Sequence, residues 1–227
     1  MRKALLIVAA MLCINSIARA DGFTDISSRV AQNPTDVLPW GQLGLDGTDL
    51  TTPQFPTIFN IGAASVGNIS VSNFARVDNG GAFWLSNFFS GEQLVWNEGS
   101  TLPFLMNLGT GFGSVGFNIT SQTYGAFTAQ VTALDCSAHA LYSQVFSGTS
   151  TATADGSALF VGIGDTSGAN ICSVAISTTD VNGFNSFAID QVTFTDKTFT
   201  TPEPSSLVLI GSGLLALVGM KRRKRQV

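Results

Sequence analysis

Between Ser114 and Ala133 the side chains alternate between apolar and small polar, and this pattern limits the fold more than any other feature of the chain. Val115, Phe117 and Ile119 alternate with Ser114, Gly116, Asn118 and Thr120. Beyond the turn Ser121 to Gly125, Phe127, Ala129, Val131 and Ala133 alternate with Thr128, Gln130 and Thr132. A period of two sends successive side chains to opposite faces of a sheet, so each run reads as a strand with one buried face. Helices are disfavoured as well, because the body from Gly22 to Thr201 is rich in Gly, Ser, Thr, Asn and Phe and has almost no Lys, Glu or Arg to build helix surfaces.

Further strands are expected at Ala140 to Phe146, Ala158 to Ile163, Ile171 to Ser177 and Phe187 to Thr195, separated by turn pairs such as Asp155-Gly156, Gly164-Asp165 and Asn182-Gly183. In the first half, Val71 to Val77 and Ala82 to Phe89 flank Asp78-Asn79-Gly80-Gly81, which reads as a hairpin turn. Glu92 to Asn97 and Leu102 to Leu108 follow as two more strands. Residues 33–56 read as a loop that Trp40 pins to the rest. Ten or so short strands at close spacing predict an all-β fold, a jelly-roll-like β-sandwich of roughly 170 residues.

Both ends read as targeting segments rather than fold. Arg2 and Lys3 precede an apolar run from Ala4 to Ile14, and Ala18 and Ala20 then place small residues at the minus three and minus one positions before Asp21. That order is a secretory signal peptide over residues 1–20, cut before Asp21 and handled by the Sec export machinery. Cys13 does not make it a lipoprotein signal, because Leu12 stands where a small residue is needed. The sorting tail over 201–227 runs Pro202-Glu203-Pro204, then an apolar stretch read as a transmembrane helix over 206–220, then Lys221, Arg222, Arg223, Lys224 and Arg225. As a helix the apolar stretch is about 24 Å long, against a hydrocarbon core of about 30 Å, so it spans if the bilayer thins and the flanking cations reach the headgroups. The basic cluster holds its flank on the cytoplasmic side, which leaves the body facing outward from an inner-membrane intermediate. Pro202 and Pro204 keep the segment before the helix extended and short of backbone donors, a form a processing enzyme can reach.

Removing the ends leaves three basic residues, Arg29, Arg76 and Lys197, against fourteen acidic ones between Asp21 and Thr201, a formal net charge of −11. Such a body repels phosphate backbones, so nucleic acid is disfavoured and cations or neutral glycans are easier partners.

Pro202-Glu203-Pro204, a short apolar helix and a terminal basic cluster, behind an N-terminal signal peptide, resemble the PEP-CTERM proteins of Gram-negative bacteria. The resemblance implies recognition and removal of the tail by an integral-membrane exosortase. It also implies a place at the cell surface or in the extracellular matrix, associated with exopolysaccharide or biofilm. It covers the tail and says nothing of what the body binds. The runs Asp155 to Gly162 and Phe187 to Phe194 are similar to strands of the β-sandwich ectodomains and carbohydrate-binding modules common among such proteins.

Few residues in the body carry chemistry. His139, the lone histidine, excludes a site with several imidazoles and sits in the expected turn Asp135 to His139, with no nucleophile elbow to serve. Cys136 and Cys172 are the only cysteines left after signal cleavage; in an oxidising compartment they are expected to pair, the alternative being two buried thiols. Asp190 shares a strand face with Ala188, Val192 and Phe194, so it is either buried with partners or on a bulge. A structural calcium there, with Asp155, Asp165 or Asp180 as further ligands, is the one candidate cofactor, and no compact calcium-loop motif supports it. Glu92 and Glu98 are the body's only glutamates, and on an extended strand they lie about 20 Å apart, too far for a glycosidase pair. The reading is therefore a non-enzymatic surface protein. A lectin-like module with Trp84 or Trp96 stacking on sugar rings is the alternative, against core packing of the same tryptophans, and a secreted hydrolase is the weakest reading.

Overall fold

A computed structural model describes residues 22–50, 74–99 and 103–196. The signal peptide, its cleavage residues Ala18, Ala20 and Asp21, and the sorting tail from Thr201 onward lie outside the described residues. Thirteen strands follow one another: β1 (Phe23–Ile26), β2 (Asp36–Leu38), β3 (Thr48–Asp49), β4 (Phe74–Asp78), β5 (Gln93–Asn97), β6 (Phe104–Phe112), β7 (Ser114–Ser121), β8 (Gly125–Leu134), β9 (Ala140–Ser150), β10 (Leu159–Asp165), β11 (Ile171–Asp180), β12 (Phe187–Ile189) and β13 (Val192–Thr195). A one-turn helix α1 (Arg29–Gln32) and a 3-10 turn (Trp40–Leu43) interrupt the first stretch. No helix among the described residues is long and apolar enough to cross a membrane.

The strands form two antiparallel sheets. The larger runs β1-β10-β7-β12-β5-β4-β3, with β13 beside β7 and β2 beside β13; the smaller runs β6-β11-β8-β9. Alternation explains the smaller sheet directly. Phe127, Ala129, Val131 and Ala133 of β8 are all buried, and their neighbours Ala126, Thr128 and Gln130 face solvent. The two sheets pack through aromatic contacts, Phe104 against Phe187 at 6.3 Å and Phe112 against Phe194 at 4.8 Å between ring centres. Phe74 meets Phe104 edge-on at 6.2 Å, which sets β6 over β4. Phe23 stacks on Tyr142 at 5.6 Å, which sets β9 beside β1 at the opposite end.

The larger sheet departs from the expected pattern. β7 is buried along almost its whole length on both faces, because other parts of the chain cover its outer side. One cover is α1, capped by the Ser28 hydroxyl, which accepts from the Ala31 amide at 3.1 Å. Gln32 of α1 enters where Gly116 leaves room; a Cβ at Gly116 would stand 2.6 Å from the Gln32 amide oxygen. Its Nε2 donates to Ser114 Oγ and the Thr193 carbonyl, and its Oε1 accepts from Thr193 Oγ1.

The other cover is the segment between β4 and β5, and here the expected hairpin is wrong. Residues 82–89 form no strand, and β4 pairs with β5 instead, Phe74 opposite Asn97 through Asp78 opposite Gln93. The Asn79 side chain diverts the chain: its Nδ2 donates toward the carbonyls of Ser86 (3.1 Å), Phe88 (2.6 Å) and Phe89 (3.2 Å), and its Oδ1 accepts from the Ser86 amide at 2.8 Å. The excursion lays Trp84 and Phe88 over Ala75, Val77, Leu94 and Ala188, making a second small core on the outer face of the larger sheet. The stretch read as loop after Asn33 also holds β2, the 3-10 turn and β3, although Trp40 does anchor it, fully buried.

Candidate functional site

The expected strand Phe187 to Thr195 is two strands, β12 and β13, and Asp190 stands at the break. Ile189 pairs with Ile119 and Thr193 with Gly116, so four steps along this strand match three along β7. The extra residue is a β-bulge, which re-aims a side chain and bends the strand. On the far side β12 continues against β5 and β13 against β2, so the larger sheet splits at this point.

The Asp190 carboxylate fills the split. Its Oδ1 accepts from the Asn118 amide at 2.7 Å, and its Oδ2 accepts from Asn118 Nδ2 at 3.0 Å and from the Arg29 guanidinium at 2.7 Å. Trp40 Nε1 donates to the Asp190 carbonyl at 2.6 Å. Burial pushes the carboxyl up to about 7, against the pull of Arg29 and the Asn118 amide, and the charge of Glu92 adds to the rise. A cleft of about 130 Å³ opens beside it, lined by Pro39, Trp40, Glu92, Gln93, Asp190 and Gln191.

The companions proposed for Asp190 are placed elsewhere in the hydrogen-bond network. Asp165 accepts from Ser167, Gly168 and Asn170, Asp155 from Ser157, and Asp180 from the amides of Asn182 and Phe184. Each holds its own turn, and Asp190 has Arg29 as its cation. Among the described residues no three of His, Cys, Asp and Glu gather as a metal site. The donor set does not fit a calcium ion.

Cys136 and Cys172 are joined, linking the β8–β9 turn to the start of β11. His139 sits exposed in that turn with Nδ1 3.2 Å from Asp135 Oδ2. Glu92 and Glu98 bracket β5, whose extended backbone holds them at opposite ends; Glu92 accepts from the Phe89 amide, and burial and Asp49 push the Glu98 carboxyl up.

Trp84 and Trp96 are packed against each other, ring centres 5.6 Å apart, and Trp84 is only 4% exposed. Their indole N–H groups donate to Ser86 and Ser186. Core packing takes the tryptophans, and other aromatics take the surface. Phe83 (56% exposed) and Tyr124 (51%) flank a cleft of about 250 Å³, completed by Leu85, Gln122 and the edge of Trp84. Tyr124 Oη donates to the Leu85 carbonyl at 3.1 Å and Gln122 Oε1 accepts from Ser186, so the rim is tied to the sandwich. Sequence reading missed this cleft. The signal was present in the dense run Phe83-Trp84-Leu85 and Phe88-Phe89, too aromatic to be a strand with one wet face.

These features define a disulfide-bridged, antiparallel β-sandwich with an aromatic cleft on its described surface. Residues 200–224 match the PEP-CTERM protein-sorting motif. The chain is thus a PEP-CTERM domain-containing protein, exported and sorted to the cell envelope or surface. No curated protein sequence matches it. Among solved structures it is similar to a DUF4465 family protein from Bacteroides caccae, at 10% identity over 71% of this chain and 100% of that one, with a TM-score of 0.40. It is also similar to the CBM22-1–GH10 modules of a Clostridium thermocellum xylanase complexed with xylohexaose, at 15% identity over 54% of this chain and 24% of that one, TM-score 0.31. A family 29 carbohydrate binding module matches at 12% identity over 58% of this chain and 96% of that one, TM-score 0.26.

Proposed function

We propose that this is a non-enzymatic surface or matrix protein: a Sec-exported β-sandwich held at the inner membrane by its C-terminal helix until an exosortase-type enzyme removes the tail at or near Pro202-Glu203-Pro204. The observation that carries the reading is the sorting motif at 200–224 directly behind a sandwich bridged through Cys136 and Cys172. A disulfide suits the oxidising side of the membrane, and the cluster Lys221, Arg222, Arg223, Lys224 and Arg225 keeps the opposite flank inside. The intact mass of the mature protein tests it. In a host with the processing enzyme the wild type loses its tail, and replacing Pro202-Glu203-Pro204 with alanines retains it. A wild-type protein that keeps its complete tail in that host would falsify the reading.

The exposed aromatic cleft favours a second activity in the same molecule, binding of a neutral polysaccharide. Phe83 and Tyr124 are exposed aromatic rings of the kind that stack on the C–H faces of a sugar, with Gln122 alongside for its hydroxyls. Glycan-array binding by the wild type, lost in a Phe83→Ala/Tyr124→Ala double variant, is the expected result. An array without binders removes this activity and leaves the sorting proposal untouched.

A further inference from the structure

The two sheets end differently. The larger sheet closes with β1, four residues including Asp25, and with β3, two residues including Asp49. Short, charged edges of this kind prevent another chain from pairing. The smaller sheet ends in β9, eleven residues reading Ala-Leu-Tyr-Ser-Gln-Val-Phe-Ser-Gly-Thr-Ser, with no charge and no proline. β9 pairs with β8 in unbroken register from Tyr142 opposite Ala133 to Ser150 opposite Gly125, and with no other described strand. The opposite edge, β6, is irregular by comparison, with a register shift against β11 and Gly109 at a φ of 72°.

We propose that β9 is a homodimer interface, in which two copies pair antiparallel across a two-fold axis at Val145 to join their smaller sheets into one of eight strands. Three observations point to a second copy of this chain as the occupant. First, a second β9 is itself an eleven-residue strand without a charge or a proline, the same length as the edge it would cover. Second, the strand is self-complementary about Val145. Val145 is 55% exposed on the outer face and would be covered by its symmetry mate, and Ser143 would face Ser147 of the second copy, one small polar side chain against another. Third, the charge that should keep copies apart is missing here. The body's net charge is −11, yet no Asp, Glu, Lys or Arg lies between Glu98 and Asp135 or between Asp135 and Asp155. An isologous pairing closes on itself, so it yields dimers rather than filaments.

Sedimentation of the mature, exported protein at micromolar concentration tests this, with three samples. The wild type is expected as a dimer. Val145→Lys places like charges opposite each other on the axis and is expected to weaken the dimer at least about tenfold. Val145→Glu does the same, and an equimolar mixture of the two variants is expected to restore the dimer, which a misfolded variant cannot do. A wild type that sediments as a monomer or as an open series of larger species overturns the proposal. So does a Val145→Lys variant as dimeric as the wild type, or a mixture that stays monomeric.

Discussion

Asp190 combines three costs at one position: an extra residue in the strand, a carboxylate out of water, and a sheet that splits beside it. Arg29 and Asn118 offset the second, since a buried carboxylate persists only with charge and hydrogen-bond partners. The residual penalty sets a pH dependence. With the folded pKa at about 7 and the ordinary value at 3.8, the folded state holds this proton more tightly than the unfolded chain. The contribution to stability is therefore full below about pH 3.8 and is lost as pH rises to about 7, by up to about 4 kcal/mol. Asp135, Asp155 and Asp180 shift the other way. For Asp180, burial raises the pKa, but hydrogen bonds from Thr123 and the Phe184 and Asn182 amides outweigh it; the Asp135 carboxyl is lowered chiefly by the His139 amide and that of Asp155 by the Ser157 hydroxyl. Their contributions are lost only as pH falls below 3.8, outside this window. In urea unfolding between pH 4 and 7, the wild type should lose stability as pH rises, and Asp190→Asn should remove most of that slope. Parallel curves for the two proteins would show that the carboxyl does not titrate there.

Among the elements, the bridge and the β4–β5 excursion hold in different ways. Cys136 and Cys172 are 36 residues apart in sequence, and closing a loop of that length stabilises by about 4 kcal/mol through the unfolded chain. Cys136→Ser/Cys172→Ser should therefore lower the urea midpoint of the whole domain; an unchanged midpoint would mean the unfolded chain is already restrained. The excursion depends on one side chain. Asn79→Ala leaves the carbonyls of Ser86 and Phe88 without their donor and should cost roughly 2–3 kcal/mol. Amide exchange is expected to quicken in residues 82–91 and stay slow in β8 and β11, whereas uniform quickening would make the excursion part of the main core. This element also shows where sequence reading stops. β8 and β9 were legible because one face is wet and the alternation survives. Asp78-Asn79-Gly80-Gly81 looks like a hairpin turn, and only the reach of Asn79 to carbonyls up to ten residues away makes it the anchor of a loop. For Asp190 the sequence left burial with partners and a bulge as alternatives, and the structure has both; Arg29, its partner, lies 161 residues away and no local pattern marks it. The aromatic cleft was hidden for a related reason: which of Phe83, Trp84 and Leu85 faces water is decided by the core under them, not by their order.

At the scale of the whole molecule, charge is segregated between the sheets. The smaller sheet carries one acidic residue, Asp180 at the end of β11; the other described acids lie on the larger sheet or in loops and turns. Among the described residues the only Lys or Arg side chains are Arg29 and Arg76, and both are spent on ion pairs, with Asp190 and Asp78, each at 2.7 Å. Nothing basic in the described sandwich is left to draw a polyanion, and a net charge of −11 from Asp21 to Thr201 repels one over about 10 Å at 0.1 M salt. The partner classes divide accordingly. A neutral polysaccharide meets no electrostatic barrier at the Phe83–Tyr124 cleft, whereas an acidic one, or DNA, meets the full field of the body. The tail-processed protein is expected to run unshifted with duplex DNA and with an acidic polysaccharide in native gels at 20 mM salt, where screening is weakest and a cationic surface would bind most tightly. A shift that weakens as salt rises would reveal a basic surface outside the described residues and would reassign the partner from neutral to acidic polymers.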